Sequence, residues 1–422
     1  MPRNVVEVDP QKFPWLDLNR YTFCLGAESG GILYLAGQTA SEYDPSVGAV
    51  VCKGDLLAQT RVIYEKLGVV LEAAGMSFDN VVQTVDYIDP AALPQYRETG
   101  AIRREFLGGT PVGSTGICVE RLLRPDALLE VSAVAVRDEK RAVNPGYDRY
   151  GALTYVPGVV AGDTLWTSGF VGNDEVDGQA SFPQDTGVQM GLTYEIVGSV
   201  LAAAGAAPSD VVKTLEYVSP QAWLQYDGGA AESRSAFFKG DYPANTGITV
   251  NRLLRPEGHV EVEAVAVLDR PSTSSVREEI QVPGWEASYS GATYVPGVKK
   301  GRMLQLSAQS GVDHATASVV APFDIVAQAE QAYGNLARVL AEGGYSMDDV
   351  VNTIEWVPPN GLSTYRRVGE VRRKFFGDPV SRHGAGGFPS ATGVSMHRIR
   401  RPGPLDRMIP ELLFEVTAVA IV

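Results

Sequence analysis

The chain repeats itself, and that repetition constrains its fold more than any other feature. VVQTVDYI (81–88), VVKTLEYV (211–218) and VVNTIEWV (350–357) recur at offsets of 130 and 139 residues. Upstream of each, Gln59, Gln189 and Gln328 precede Tyr64, Tyr194 and Tyr333 by five residues, followed by LEAAGMSFDN, LAAAGAAPSD and LAEGGYSMDD. Downstream come STGICVERLLRP, NTGITVNRLLRP and ATGVSMHRIRRP, and the units close on LLEVSAVAV, HVEVEAVAV and LFEVTAVAI. Helical or strand periodicity does not match segments this far apart, so the unit is triplicated. In a chain of 422 residues each copy is long enough to bury its own core.

Every copy reads in the same order. A strand pair opens it (28–38, 154–169 and 293–308), with apolar, β-branched and turn residues. A helix follows, as over 56–75, with one apolar face and a stop at Gly75, Gly205 or Gly344. The VVxTxxY strand comes next, then a second helix ending in REFLGG, SAFFKG or RKFFGD, then two more strands. The order β-β-α-β-α-β-β defines an α+β unit with both helices on one sheet face. Boundaries fall at 1–137, 148–268 and 284–422, with charged, Pro- and Ser-bearing linkers at 137–148 and 269–284 expected as exposed connections. The third copy is longer, through SRHGAGG (381–387) and GPLDRMI (403–409).

Charge and composition narrow the function. The formal net charge of −14 argues against a nucleic-acid partner, which needs clustered cations. The basic run Arg366, Arg367, Arg372, Arg373 and Lys374 reads as the solvated face of an amphipathic helix. No apolar run suits a membrane helix, and the opening MPRNVVEVDPQKFPW reads as the start of a cytoplasmic chain. Cys24, Cys52 and Cys118 form no pattern, and His259, His314, His383 and His397 have no zinc spacing. No disulfide framework and no metal is therefore expected. Neither a phosphate loop nor a dinucleotide fingerprint occurs.

The element order, the LYLAGQ strand, the AAG helix stop and the closing EVxAVAV strand together resemble the Rid (YjgF/YER057c/UK114) family, three times over about the whole chain. Members of that family are homotrimers with a central barrel-like core and ligand clefts between subunits. The resemblance therefore implies an intramolecular pseudo-trimer of chorismate-mutase-like units, with helices outside and three non-identical clefts. It implies hydrolysis of reactive enamines or imines of a small metabolite, without a cofactor.

One departure bears on that activity. Family deaminases grip the substrate carboxylate with an Arg just before the TG(I/V) segment, a bidentate task for which the guanidinium fork is suited. Here the aligned residues are Ser114, Asn245 and Ala391. Asn245 retains hydrogen bonds for a neutral carbonyl or amide. Glu130, Glu261 and Glu415 match the position proposed to orient the attacking water; the alternative is a strand-edge Glu paired with an Arg of the next copy. Arg121, Arg252 and Arg398, with Arg124, Arg255 and Arg401 before each Pro, either replace the missing anchor or bridge copies. Thr115, Thr246 and Thr392, each followed by Gly, allow a close approach of ligand or strand. Arg103, Arg234 and Arg372 read as helix-face ion-pair partners. Asp86, Glu216 and Glu355 would meet around the axis only if paired or solvated. Gln38 and Gln309 keep a family-like GQ pattern that Phe170 breaks. In the third copy Arg382, His383 and His397 lie near the anchor position, where the Gly-rich insertion serves as a lid or is a plain insertion. Three functions stay open: a Rid-type hydrolase, a non-catalytic binder of a small molecule or partner, and a pathway enzyme reusing the fold as chorismatase does.

Overall fold

The computed structural model describes residues 3–16, 18, 21–176, 179–269, 276–377, 387–397 and 411–422. Each repeat folds in the expected order. The first helices span Leu56–Ala73, Thr186–Ala204 and Ile325–Glu342. Their N-termini are capped by Asp55, Asp185 and Asp324, whose carboxylates accept from backbone N–H groups of the first turn. Just past each end, Gly75, Gly205 and Gly344 take positive φ (66°, 82° and 77°), the left-handed conformation that turns the chain out of a helix at low cost.

In every sheet the closing strand is central. Leu129–Val136 lies antiparallel to both Ile32–Thr39 and Val81–Ile88, and Gly113–Cys118 lies parallel to Val81–Ile88 on the far side. Val260–Val267 and Glu415–Ile421 occupy the same place in the second and third sheets. Two features differ from the sequence reading. Small hairpins at Ser41–Asp44/Ala49–Cys52, Asp174–Val176/Gln179–Ser181 and Val312–Asp313/Ser318–Val319 precede the first helices. The linkers are also more than exposed connections: Lys140–Val143 and Glu278–Ile280 pair as the outermost strands of the next sheets. Each ends on an apolar residue, Val143 or Ile280, that reaches the core of its repeat.

Each repeat contacts the other two through equivalent bonds. Val156 N and Gly169 N donate to Val112 O and Ser114 O; Val295 N and Ala308 N donate to Pro243 O and Asn245 O. Cys24 N donates to Pro389 O, and Gly37 N donates to Thr392 Oγ1. Around the axis, Trp356 stands edge-on to Tyr87 and Tyr217 at centroid separations of 6.3 and 6.4 Å. These aromatics are one repeat position, so residues 130 and 139 apart in sequence share one core. Among the described residues none of the sheets closes on itself. The core is barrel-like only in that three open sheets surround one axis: among the described residues the repeats are joined by isolated hydrogen bonds and by one two-residue ladder, Arg252–Leu253 against Ile117–Cys118.

The acids Asp86, Glu216 and Glu355 do not meet at that axis. Side chains alternate along a strand, so while the adjacent aromatic faces the axis, the acid turns into its own repeat. There Glu216 binds Arg234 through both oxygens and accepts from Tyr194 (2.6 Å) and Tyr226. Glu355 does the same with Arg372, Tyr333 and Tyr365. Burial alone would raise both carboxyl pKa values, but the Arg charge and the Arg and Tyr hydrogen bonds bring them below the ordinary range. Asp86 is one methylene shorter. It keeps Tyr96 (2.8 Å) and Arg103 (3.2 Å) but misses Tyr64, leaving Asp86 Oδ1, Arg103 Nε and Tyr64 Oη buried without hydrogen-bond partners among the described residues. Its pKa is raised, by burial. Asp86→Glu is therefore expected to complete the network and stabilise the protein by about 1 kcal/mol, measured as a higher urea midpoint at unchanged slope.

Candidate active site

The repeated Gln of the first helix builds the site from below. Gln328 donates to Glu411 O (2.7 Å) and accepts from Leu413 N (2.7 Å), clamping the chain that enters the closing strand at Glu415. Gln59 and Gln189 make the equivalent bonds ahead of Glu130 and Glu261. All three Glu residues are buried, and burial pushes each up to about 8. The cations that oppose this differ: Lys66 and Arg124 for Glu130, and Lys213 for Glu415.

Stability follows with a definite sign. A carboxyl whose folded pKa exceeds its ordinary 4.5 stabilises the fold fully at lower pH, and that contribution is lost as pH rises toward the folded value. The melting temperature of the native protein should therefore fall from pH 5 to 8 more than that of a Glu130→Gln/Glu261→Gln/Glu415→Gln variant. Scanning calorimetry of both across this range checks the difference.

The three clefts are not equivalent. Between the second and third repeats a cleft is lined by Tyr226, Asp227, Arg234, Asn245 and Gly247 on one side. Tyr289, Tyr294, Ala308, Ser310, His314 and Glu415 line the other. Gln309 donates to Tyr289 Oη (3.2 Å) and its carbonyl meets His314 Nε2 (2.9 Å), while His314 packs on Trp285 at 4.2 Å between centroids. The Gln309 amide thus holds an aromatic wall in place. In the other two clefts a leucine of the next repeat packs against the glycine of the TG pair; the residue aligned with those leucines at this cleft, Arg400, lies outside the described residues. A Cβ on Gly116 would meet Leu254 Cδ1 at 2.8 Å, and one on Gly393 would meet Leu123 Cδ1 at 2.8 Å. At Gly247 the nearest atoms among the described residues are all of Tyr226.

The Glu residues differ in the same way. A Cβ on Gly37 or Gly169 would fall on Glu130 Oε1 or Glu261 Oε1, so these carboxyls lie in the space a glycine leaves. The third repeat has Ala308 there, and its methyl denies Glu415 that position. Glu415 Oε2 is buried with no hydrogen-bond partner among the described residues.

The structure thus brings Asn245 and Glu415 to one cleft. Asn245 donates to Thr214 Oγ1 (2.8 Å). Ser114 Oγ is engaged by Arg103 (2.9 Å), and Ala391 offers no polar group. The TG threonines bond elsewhere: Thr115 to Glu263, Thr246 to Lys213, and Thr392 to Gly37 N. Arg121 and Arg252 are exposed and join repeats through their backbones, opposite Ser395 and Cys118. His397 pairs with Glu120 of the first repeat (2.6 Å) and is not among the residues lining the cleft. Arg382, His383, Arg398 and Arg401 lie outside the described residues. The sequence reading missed Tyr226, Asp227, Tyr289, Tyr294 and His314 as cleft residues. For Tyr226 a signal existed: a Tyr follows the strand acid by ten residues in every copy (Tyr96, Tyr226, Tyr365). Among the described residues, no group of three or more His, Cys, Asp or Glu is arranged to hold a metal, and no helix is long and apolar enough to cross a membrane.

Comparison with known proteins agrees with this architecture. The family model described as Endoribonuclease L-PSP matches residues 18–137, 149–268 and 286–422. The chain therefore belongs to this family, the Rid family, and carries three tandem copies of its domain. A RutC family protein of Pyrococcus horikoshii is 31% identical over 111 residues, covering 26% of this chain and 83% of that protein. A second, from Pyrococcus abyssi, is 30% identical over 109 residues, covering 26% and 81%. Among solved structures, a chorismatase aligns over 81% of this chain and 93% of its own, at 16% identity and a TM-score of 0.49. The Escherichia coli YjgF gene product aligns over 34% and 98%, at 26% identity and a TM-score of 0.27.

Proposed function

We propose that this chain is a cofactor-independent hydrolase acting on a C=N or C–N bond of a small metabolite in the cleft between its second and third repeats. The observation that carries the reading is Glu415. Its carboxyl is buried at the cleft, keeps its proton up to about 8, and has an oxygen with no hydrogen-bond partner among the described residues. Such a group donates its proton to an imine nitrogen and, as carboxylate, takes one from the water that attacks the carbon. The carbinolamine then expels its nitrogen as ammonia and becomes a carbonyl, so one water is consumed for each ammonia released. Asn245 and the tyrosines supply neutral hydrogen-bonding groups where family deaminases use a guanidinium. Arg234 cannot present the two-pronged grip of that anchor, because its Nε and one terminal nitrogen are committed to Glu216 and Tyr226 and the other donates to Thr293 (3.0 Å), which leaves a single N–H.

The test is ammonia release from imines generated in place by an amine or amino-acid oxidase. 2-Iminobutyrate, whose carboxylate finds no strand Arg, is expected to be a poor substrate. Imines without a carboxylate should be hydrolysed faster. If no imine in the panel is hydrolysed faster than in the presence of Glu415→Gln protein, the hydrolase reading fails and a binding role takes its place.

A further inference from the structure

We propose that Lys213 is a positioning residue for Glu415, a buried ammonium that orients the strand carrying it and favours its carboxylate, from a strand position that is uncharged in the other two repeats. The proposal rests on reading Glu415 as the acid–base group of the cleft. Lys213 projects from Val211–Val218 of the second repeat across to the third. Its Nζ donates to Thr246 Oγ1 (2.8 Å) on its own side, and to Thr417 Oγ1 (2.6 Å) and Leu306 O across the boundary. An ammonium has three donors, and here each has an acceptor.

Thr417 stands two residues after Glu415 in the closing strand, on the same strand face. Leu306 O belongs to the strand Met303–Leu306, which ends two residues before Ala308. Lys213 thus fastens both backbone segments that shape the position of Glu415. Its charge also acts on the carboxyl: burial raises the Glu415 pKa, and Lys213 lowers it. Burial works against the charge on Lys213, while Glu415 and Glu263, with the three acceptors around Nζ, favour it. Those two carboxyls, from the closing strands of the third and second repeats, are the charged groups facing Lys213. On the cleft side Asp227, His314 and Tyr289 share the pocket with Glu415.

The repeats supply their own control. The residue aligned with Lys213 is Gln83 at the boundary that holds Glu261 and Asn352 at the boundary that holds Glu130. Gln83 donates to Thr167 O (3.1 Å), the counterpart of Leu306 O, whereas Asn352 bonds within its own repeat to Ser390 Oγ (2.9 Å). Both are uncharged, so only at Glu415 does a cation occupy this place.

Protein labelled with ¹³C at the glutamate carboxyls tests this directly. The Glu415 resonance is assigned by its loss in Glu415→Gln and followed through a pH titration. Lys213→Met should raise its midpoint by about one pH unit or more, an opposite charge close to a carboxyl being worth that much. Lys213→Arg should hold it near the native value, and the Glu130 midpoint should stay in place. If Lys213→Met does not fold, Lys213→Gln, which installs the residue found in the first repeat, should show the same rise. An unmoved Glu415 midpoint in either folded variant overturns the proposal, as does an equal rise at Glu130. A shifted midpoint alongside full ammonia release by Glu415→Gln would keep the link to Lys213 and discard the hydrolase reading.

Discussion

Replacing Glu415 by Gln is expected to lower ammonia release by about 10²–10⁴-fold, the range in which a positioned acid–base group contributes to a rate. Glu130→Gln and Glu261→Gln should stay near the native rate. All three are buried, occupy the same repeat position, and have pKa values pushed up to about 8. By residue type and by pKa the three are therefore alike. The distinction comes from their surroundings. Leu254 and Leu123 pack on the TG glycines of the clefts that hold Glu261 and Glu130, and Gly169 and Gly37 leave room for those two carboxyls to withdraw. Glu415 lines a cleft among the described residues, and Ala308 stands where the other two repeats have that glycine. Single-turnover assays of the three variants on the best imine of the panel decide the matter. A comparable loss at all three would place activity in every cleft; no loss at any would remove the hydrolase reading.

The largest expected effect on stability lies one layer below. Glu216→Ala should cost about 3–5 kcal/mol, because it leaves the Arg234 guanidinium buried without its counter-charge. Arg234 is 6% exposed and Glu216 is fully buried, so water does not replace the lost partner. Tyr194 and Tyr226 lose their shared acceptor at the same time. The double variant Glu216→Leu/Arg234→Met should recover much of that loss, since removing both charges removes the uncompensated one. The equivalent change in the first repeat, Asp86→Ala, should cost less, as the Asp86 network is already incomplete. Urea unfolding of the three variants, compared at constant slope, separates these outcomes. Tyr226 also lines the cleft, so Glu216→Ala should weaken activity as well as stability.

Much of the fold can be read from the residues one at a time. Helix starts at Asp55, Asp185 and Asp324 and turns at Gly75, Gly205 and Gly344 are local decisions of the backbone. The strand Val81–Ile88 and its two copies carry their own pattern. The linker strands Lys140–Val143 and Glu278–Ile280 were not readable in this way. Short and charged, they form because a neighbouring edge offers hydrogen bonds, and that edge comes from a distant segment. The same holds for the acids of the central strands: alternation says that Glu216 and Tyr217 face opposite ways, but not which of them faces the axis.

The sequence by itself determined that one α+β unit occurs three times, that the strand Arg of family deaminases is absent from all three copies, and that three glutamates share one position. These properties survive without coordinates because they are comparisons of the chain with itself or with a local pattern. Which residues face one another across each cleft was decided only by tertiary structure. Each cleft joins the edge of one sheet to the closing strand of the next, so its character depends on pairs such as Gly116 with Leu254, or Asn245 with Ala308 and Glu415. Such pairs are far apart in the chain and adjacent only once the three repeats have docked. Their chemistry is a property of the docked interface rather than of either residue alone.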